Sequence, residues 1–242
     1  MDDLDNLVQD IYKTIEPLSS GEPIDISEEQ IDAFGESMKE VMRSWANPTK
    51  RDSTFSIRMS NVGKHPRKLW FDSKSKDERS PINVPTQIKF LYGHMLEELV
   101  KLFVVMSGHD LTGQQKEVVV DSVVGHIDCI IDDEVVDIKT ASSFAFNKFK
   151  HGTLRDDDAF GYLGQLAGYE ESESTNKGGL LVINKESGEL CFYRPEDLDK
   201  PNIRNKIKNI RNALKKSTPP VDYCFKPVLD GIKGNEKINK NC

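Results

Sequence analysis

The segment Gly125–Lys139, GHIDCIIDDEVVDIK, sets two carboxylates, Asp128 and Asp137, and one lysine, Lys139, into a run otherwise rich in Ile and Val. Core strand positions favour apolar residues, and like charges on facing strands repel. The acids therefore either face solvent beside a compensating lysine, or hold something cationic between them. If Asp132-Asp133 is a two-residue hairpin loop, residues 131 and 134 close the turn and Asp128 stands opposite Asp137. Their Cβ atoms would then be about 5 Å apart. A three-residue loop would shift that pairing by one. Strand alternation puts His126, Asp128, Ile130, Val135, Asp137 and Lys139 on one face, and Ile127, Cys129, Ile131, Val136 and Ile138 on an apolar one. Two carboxylates so placed repel unless one is protonated or a cation neutralises them. A hard divalent ion such as Mg²⁺ takes a few carboxylates plus waters, and the Ile138 carbonyl is a further candidate ligand. A lysine on the same face can hold a water or stabilise developing negative charge.

Other polar residues sit where they could complete such a site. LYGHMLEELVKLF carries Glu97 and Glu98 on an amphipathic helix, and GYLGQLAGYE sets Gln165 and Tyr169 one turn apart on a shared helix face. Taken singly, each is ordinary surface decoration.

The elements that must position these residues follow from periodicity. Leu4, Leu7, Ile11 and Ile15 have helical spacing; a break at Pro17–Pro23 precedes a second helix whose start, Ser27-Glu28-Glu29-Gln30, fits a capping box, and Asn47-Pro48 ends it. FSIRMSNVGKHPRKLWFDSK leads from a short strand or turn into a basic-aromatic helix. A polar loop follows, then a helix over Thr86–Met106 with Ile88, Leu91, Leu96, Leu99, Leu102 and Phe103 as its stripe, closed by Ser107-Gly108. Strands are expected over Gln115–Val124, Gly125–Ile131 and Glu134–Thr140, a loop with Lys148, Lys150 and Arg155 over 141–158, and a helix from about 158 to 172. Strands Gly178–Asn184 and Glu189–Arg194 and a basic helix over 200–216 complete the order. It describes an α/β (α+β) domain, a central mixed sheet flanked by helices, with an N-terminal helical extension.

The 242 residues fit one large domain, 37% hydrophobic and able to build a core. No apolar run is long enough to span a membrane. The acidic start, MDDLDNLVQD, lacks the basic and apolar regions of a secretory signal, and Cys129, Cys191, Cys224 and Cys242 show neither CxxC nor a disulfide framework, so a reducing, cytoplasmic setting is expected. A net charge of −7 argues against coating nucleic acid non-specifically but hides polarity: residues 1–40 are crowded with acids, while Lys200–Lys216 holds seven cations and no acid.

Together the segments resemble the RecB-like exonuclease branch of the PD-(D/E)xK nuclease superfamily, which includes many phage exonucleases. Gly93 followed by Glu97 is similar to the family's helix-opening glycine and the metal-binding acid or histidine four residues on. Gly125-His126-Ile127-Asp128 matches GxxD, Asp137-Ile138-Lys139 matches (D/E)xK, Gln165 to Tyr169 matches QxxxY, and SNVGKHPRKLWFD looks like the family's lead-in. The likeness covers about residues 56–225, and its strength lies in four motifs in order, since a lone DxK occurs by chance.

The resemblance implies a restriction-endonuclease-like core over 51–225, between an acidic helical segment over 1–50 and a tail over 226–242. It implies hydrolysis of DNA phosphodiesters with Mg²⁺ or Mn²⁺ held by Glu97, Asp128, Asp137 and the Ile138 carbonyl, in recombination, repair or phage DNA processing. Lys139 would position or deprotonate the attacking water, Gln165 would orient Lys139 or a phosphate oxygen, and Tyr169 would contact the DNA backbone. Ser60, Lys64, Arg67 and Lys68, beside Trp70 and Phe71, would contact DNA ends, single- or double-stranded. The setting implied is a bacterial or phage-infected cell, with a homo-oligomer or a recombination or replication partner compatible. Some relatives bind an iron–sulfur cluster through one upstream and three C-terminal cysteines. Here His65 takes the upstream place and only Cys224 and Cys242 lie downstream, so no cluster is expected, although GNEKINKNC looks like the run-up to a cysteine knuckle. His94 lies three residues before the family's ligand position and reads as a surface or supporting histidine. The basic helix is either a DNA track or a solvated face, and the acidic N-terminal helices either pack as a cap or gate the site by repulsion. An endonuclease of the same fold and a non-catalytic DNA-binding module are the alternatives.

Overall fold

A computed structural model describes residues 4–48, 54–75, 81–222, 228–229 and 236–237. Its centre is a five-stranded sheet in the order β1 (Leu111–Thr112), β4 (Cys129–Ile131), β5 (Glu134–Ala141), β6 (Gly178–Asn184), β7 (Leu190–Tyr193). Only β5 and β6 run parallel; the other neighbours are antiparallel, so the sheet is mixed, as expected. The β5-to-β6 crossover carries α6 (Ser143–Lys150) and α7 (Tyr162–Ser172). A separate hairpin joins β2 (Lys116–Val120) to β3 (Val123–Ile127), and a short one joins β8 (Val228–Leu229) to β9 (Glu236–Lys237).

Alternation along β5 divides the core in two. Val135 and Ala141 face a cluster with Met59, Leu166, Tyr169, Leu180 and Ile207; Val136 and Ile138 face one with Leu4, Leu7, Ile11, Val100 and Val104. The first layer is built by α3 (Met59–Val62), α4 (Pro66–Lys74), α6, α7 and α8 (Ile203–Leu214); the second by α1 (Leu7–Ile15) and α5 (Val84–Met106). The N-terminal stripe is thus part of the core: Leu4, Leu7 and Ile11 are fully buried. α2 (Glu28–Ala46) packs on α5 without burying any residue completely. Its capping box is present as expected, with the Gln30 amide donating to Ser27 Oγ at 3.2 Å and the Ser27 amide to Gln30 Oε1 at 3.0 Å.

Three expectations need correction. Gln115–Val124 is not one strand: the chain turns at Asp121-Ser122, both at positive φ, and β2 pairs with β3 in a two-residue hairpin. Residues 141–158 are not a loop: Ser142 N-caps α6, which buries Phe146 and Phe149 at helical spacing, and a 3₁₀ turn follows at Leu154–Asp156. α7 begins at Tyr162 rather than near 158, because Asp158 is spent on its cap; its carboxylate accepts from the amides of Gly161, Tyr162 and Leu163 at 2.8, 2.9 and 3.0 Å. Cys224 and Cys242 lie outside the described residues.

Candidate active site

The hairpin register is the one expected. Ile131 pairs with Glu134, Ile130 with Val135 and Cys129 with Val136 around the Asp132-Asp133 turn. The next position is where the strand fails. Asp128 is a bend, with β3 leaving the main sheet on one side of it and β4 joining on the other. A continued ladder would pair the Ile138 amide with Ile127; instead Asp128 Oδ2 accepts from that amide at 2.9 Å. A side-chain carboxylate thus replaces the lost backbone acceptor, which fixes Asp128 beside Asp137. The bend also rotates Ile127 into the Met59–Tyr169 cluster while Cys129 and Ile131 enter the other, so the continuous apolar face expected over 127–131 is split between two cores. His126 is pushed to the surface, 3.7 Å from Glu117.

Asp137 is fully buried. Gln165 Nε2 donates to Asp137 Oδ1 at 3.3 Å and to the Tyr169 hydroxyl at 2.9 Å, so the Gln165–Tyr169 helix turn is aimed at this acid. Lys139 Nζ lies 2.5 Å from Asp137 Oδ2, but off hydrogen-bonding geometry, and that buried oxygen accepts no hydrogen bond. Burial, reinforced by Asp128 and opposed by Lys139, pushes the Asp137 carboxyl up to about 8. The same carboxylates raise the Lys139 ammonium against the opposing effect of burial. Lys139 also stands 5.2 Å from the centroid of the Tyr162 ring. Burial raises the Tyr169 hydroxyl, and the neighbouring Asp137 raises it further.

Two glycines let these elements approach. A Cβ on Gly125 would lie 2.3 Å from Met59 Cβ and 3.0 Å from the Tyr169 ring; one on Gly168 would lie 2.1 Å from Met59 Sδ. Gly93, by contrast, is well inside α5, which starts at Val84, so it opens no helix.

Glu97 comes from α5. Burial raises its carboxyl and the charge of Asp128 raises it further, which marks the two as neighbours, and both line a groove of about 980 Å³ with His94, Trp45 and Glu40. Glu97 Oε1 is nevertheless held by Lys101 Nζ at 2.8 Å, and the same ammonium holds Glu98 Oε1 at 2.9 Å. Lys101, only 4% exposed, was not anticipated from the sequence; its signal was a cation inside an apolar stripe. Among the described residues no three His, Cys, Asp or Glu side chains converge as a ready metal cage. The chemistry of the donors still suits a hard cation: Asp137 has a buried oxygen without a hydrogen bond, Asp128 stands beside it, and Glu97 is the next acid.

The lead-in residues sit on and between α3 and α4. Ser60 is exposed on α3, and Lys64 is partly buried, which depresses its ammonium, with Lys68 adding to the effect. Arg67 donates to the Pro220 carbonyl at 2.5 Å and covers Phe71 at 5.3 Å, while Trp70 Nε1 donates to the Lys216 carbonyl at 3.0 Å, so both tie α4 to the end of α8. His65 N-caps α4, accepting from the Arg67 amide at 3.2 Å. Two of the seven cations over 200–216 are internally neutralised: Lys200 pairs with Glu170 at 2.8 Å, and Arg204 with Glu171 and Asp121 at 2.7 and 2.8 Å.

No protein-family model matches the chain, and no curated protein matches it. Two solved structures are similar in arrangement. The crystal structure of SSO0001 is 20% identical with a TM-score of 0.40, over 75% of this chain and 86% of that one. An alkaline exonuclease from Laribacter hongkongensis, LHK-Exo, is 12% identical with a TM-score of 0.47, over 72% of this chain and 92% of that one. Likeness at this level does not bear on chemistry.

Proposed function

We propose that the chain is a divalent-metal-dependent deoxyribonuclease of the PD-(D/E)xK type, an exonuclease of the RecB-like branch acting on linear DNA ends. The observation that carries the reading is the convergence of Asp128, Asp137, Lys139 and Gln165: the β4–β5 hairpin and α7 deliver two acids, a lysine and an amide to one buried point. Asp137 is buried with a single ammonium, Lys139, against Oδ2 and a single amide, Gln165, on Oδ1, which leaves lone pairs on both oxygens for a bound cation.

In this reading Asp128 and Asp137 would hold Mg²⁺ or Mn²⁺, with Glu97 as the third acid. A bound divalent ion supplies Lewis acidity and lowers the pKa of a water. The protein's own groups do the rest. Gln165 holds Asp137 in one orientation. Lys139, kept charged by its carboxylate neighbours, positions the water or faces the negative charge that develops on the phosphate. Tyr169 stays protonated and fixes Gln165. The test uses end-labelled linear and circular DNA digested in Mg²⁺ by wild type, Asp137→Ala and Lys139→Ala. Degradation of linear DNA alone, lost in both variants, is expected; cutting of circles would make it an endonuclease, and undiminished cutting by both variants would end the nuclease reading.

A further inference from the structure

We propose that the loop over 157–161 is a stacking platform for an unpaired base next to the scissile phosphate, which makes a single-stranded end the preferred substrate; this rests on the nuclease reading above. Phe160 is 62% exposed, although its neighbours are closely held, and its ring stacks on Tyr162 at 5.5 Å and 22°. Tyr162 in turn carries the Lys139 ammonium over its face. An exposed aromatic is therefore two ring-contacts from the lysine of the site. Phe144, 76% exposed, stands on α6 at the edge of the same region, 5.2 Å from Lys148 Nζ.

The loop is rigid by construction. Asp157 is bound by Lys148 at 2.5 Å, and Asp158 is consumed by three α7 amides. Gly161, at φ +82°, packs on Gly63 so closely that a Cβ on either would overlap the other's backbone. An exposed phenylalanine held this firmly has lost its conformational freedom in advance, as a stacking surface requires.

Charge fits the same occupant. The cavity of about 220 Å³ between α6 and the loop is lined by three lysines, Lys139, Lys148 and Lys185, against two acids, Asp157, paired with Lys148, and Asp158, the cap of α7. On its other side the loop packs, through Gly161, against the backbone of Gly63 and Lys64. Rings with flanking cations match a nucleobase and its phosphates; a protein partner would not require that the rings adjoin Lys139.

The test compares wild type, Phe160→Ala and Phe160→Trp. Binding of a fluorescein-labelled oligothymidylate is measured by anisotropy in EDTA, and stacking by quenching of 2-aminopurine at the unpaired end of an overhang duplex. Phe160→Ala, at an exposed position, should keep its Tm, lose affinity for the single strand by about tenfold or more, leave blunt-duplex binding unchanged and abolish the quenching. Phe160→Trp should restore both. Equal affinity and no quenching in wild type would overturn the platform. So would a change confined to oligomeric state by light scattering, which would make the rings a protein interface. If wild type cuts in Mg²⁺ and Asp137→Ala does not, such a failure belongs to the platform alone; a wild type that neither binds nor cuts removes both readings.

Discussion

On the Asp128 side of the site, α2 and α5 enclose a groove of about 980 Å³ whose walls carry Glu40, Glu97, Glu98 and Asp128; on the Lys139 side, α6 and the 157–161 loop enclose a cavity of about 220 Å³ lined by lysines and stacked aromatics. Asp137 lies between them, on a strand whose neighbours fix it from both sides. One flank concentrates carboxylates, of which Lys101 holds Glu97 and Glu98. The other has spent its acids internally and offers positive charge. On the nuclease reading, ion and substrate strand approach from opposite flanks, and Asp137 and Lys139 stand at their meeting line.

The comparison breaks most sharply if the two flanks respond alike to substitution. Asp137→Ala or Asp128→Ala should lower the turnover of linear DNA by about 10³-fold, the scale of losing a preorganised electrostatic group. Lys185→Ala, exposed on the other flank, should instead raise KM a few-fold with kcat nearly constant. Steady-state kinetics at saturating Mg²⁺ separates the two. A large kcat loss from Lys185→Ala would erase the division of labour.

How far this division was legible in the sequence depends on which forces set each part. The Asp128–Asp137 pairing was legible because a two-residue loop and period-two alternation leave one register, and that register is observed. The bend at Asp128 was not. GHIDCII alternates up to Cys129, and only the capture of Ile127 by Lys116 on β2 takes it out of the main sheet. That hairpin was itself hidden because its turn is Asp121-Ser122, without the glycine that usually marks two positive φ angles. The basic flank was missed for another reason. Lys148, Lys150 and Arg155 drew attention to charge, whereas Phe146 and Phe149 at helical spacing made the region a helix, and Asp158 in a run of three acids acts as a cap. The part of the site carried by local pattern could be read; the part carried by close backbone approach could not.

Gly63 tests that close approach. Its Cβ would fall 1.8 Å from the Gly161 carbonyl oxygen, with no flexible side chain to yield. Gly63→Ala should cost about 1–3 kcal/mol as overpacking, a Tm drop of roughly 2–4 °C per kcal/mol for a chain of this size. It should weaken single-strand binding while leaving the Mg²⁺ dependence of residual cutting unchanged. An unaltered Tm in a thermal melt would mean that the loop is not clamped there.

Glu97 sharpens the acidic flank. As a ligand it must share or release Lys101; as a structural partner it merely keeps that buried ammonium company. Glu97→Gln should raise the half-saturating Mg²⁺ concentration by about 10–100-fold, with activity recovered at high Mg²⁺. A matching Tm loss with an unmoved Mg²⁺ titration would assign Glu97 to Lys101 alone.

The pH dependence of stability belongs to Asp137 itself. Its folded carboxyl is pushed up to about 8 by burial, from an ordinary value of 3.8. Between those values the folded state holds a proton that the unfolded chain has released, so metal-free stability is full below the lower value and falls as pH rises toward the upper one. Asp137→Asn cannot titrate and removes that slope. The variant also removes one of the two carboxylates that raise the Lys139 ammonium, leaves Asp128 in place, and so adds an offset of its own. The difference in Tm between variant and wild type, measured in EDTA, should therefore move in the variant's favour by about 10 °C from pH 5 to pH 8. The slope decides, since the offset mixes the lost ion contact with the lost desolvation cost. A flat difference would show Asp137 ionised throughout, an ordinary partner of Lys139 with no stored demand for a cation.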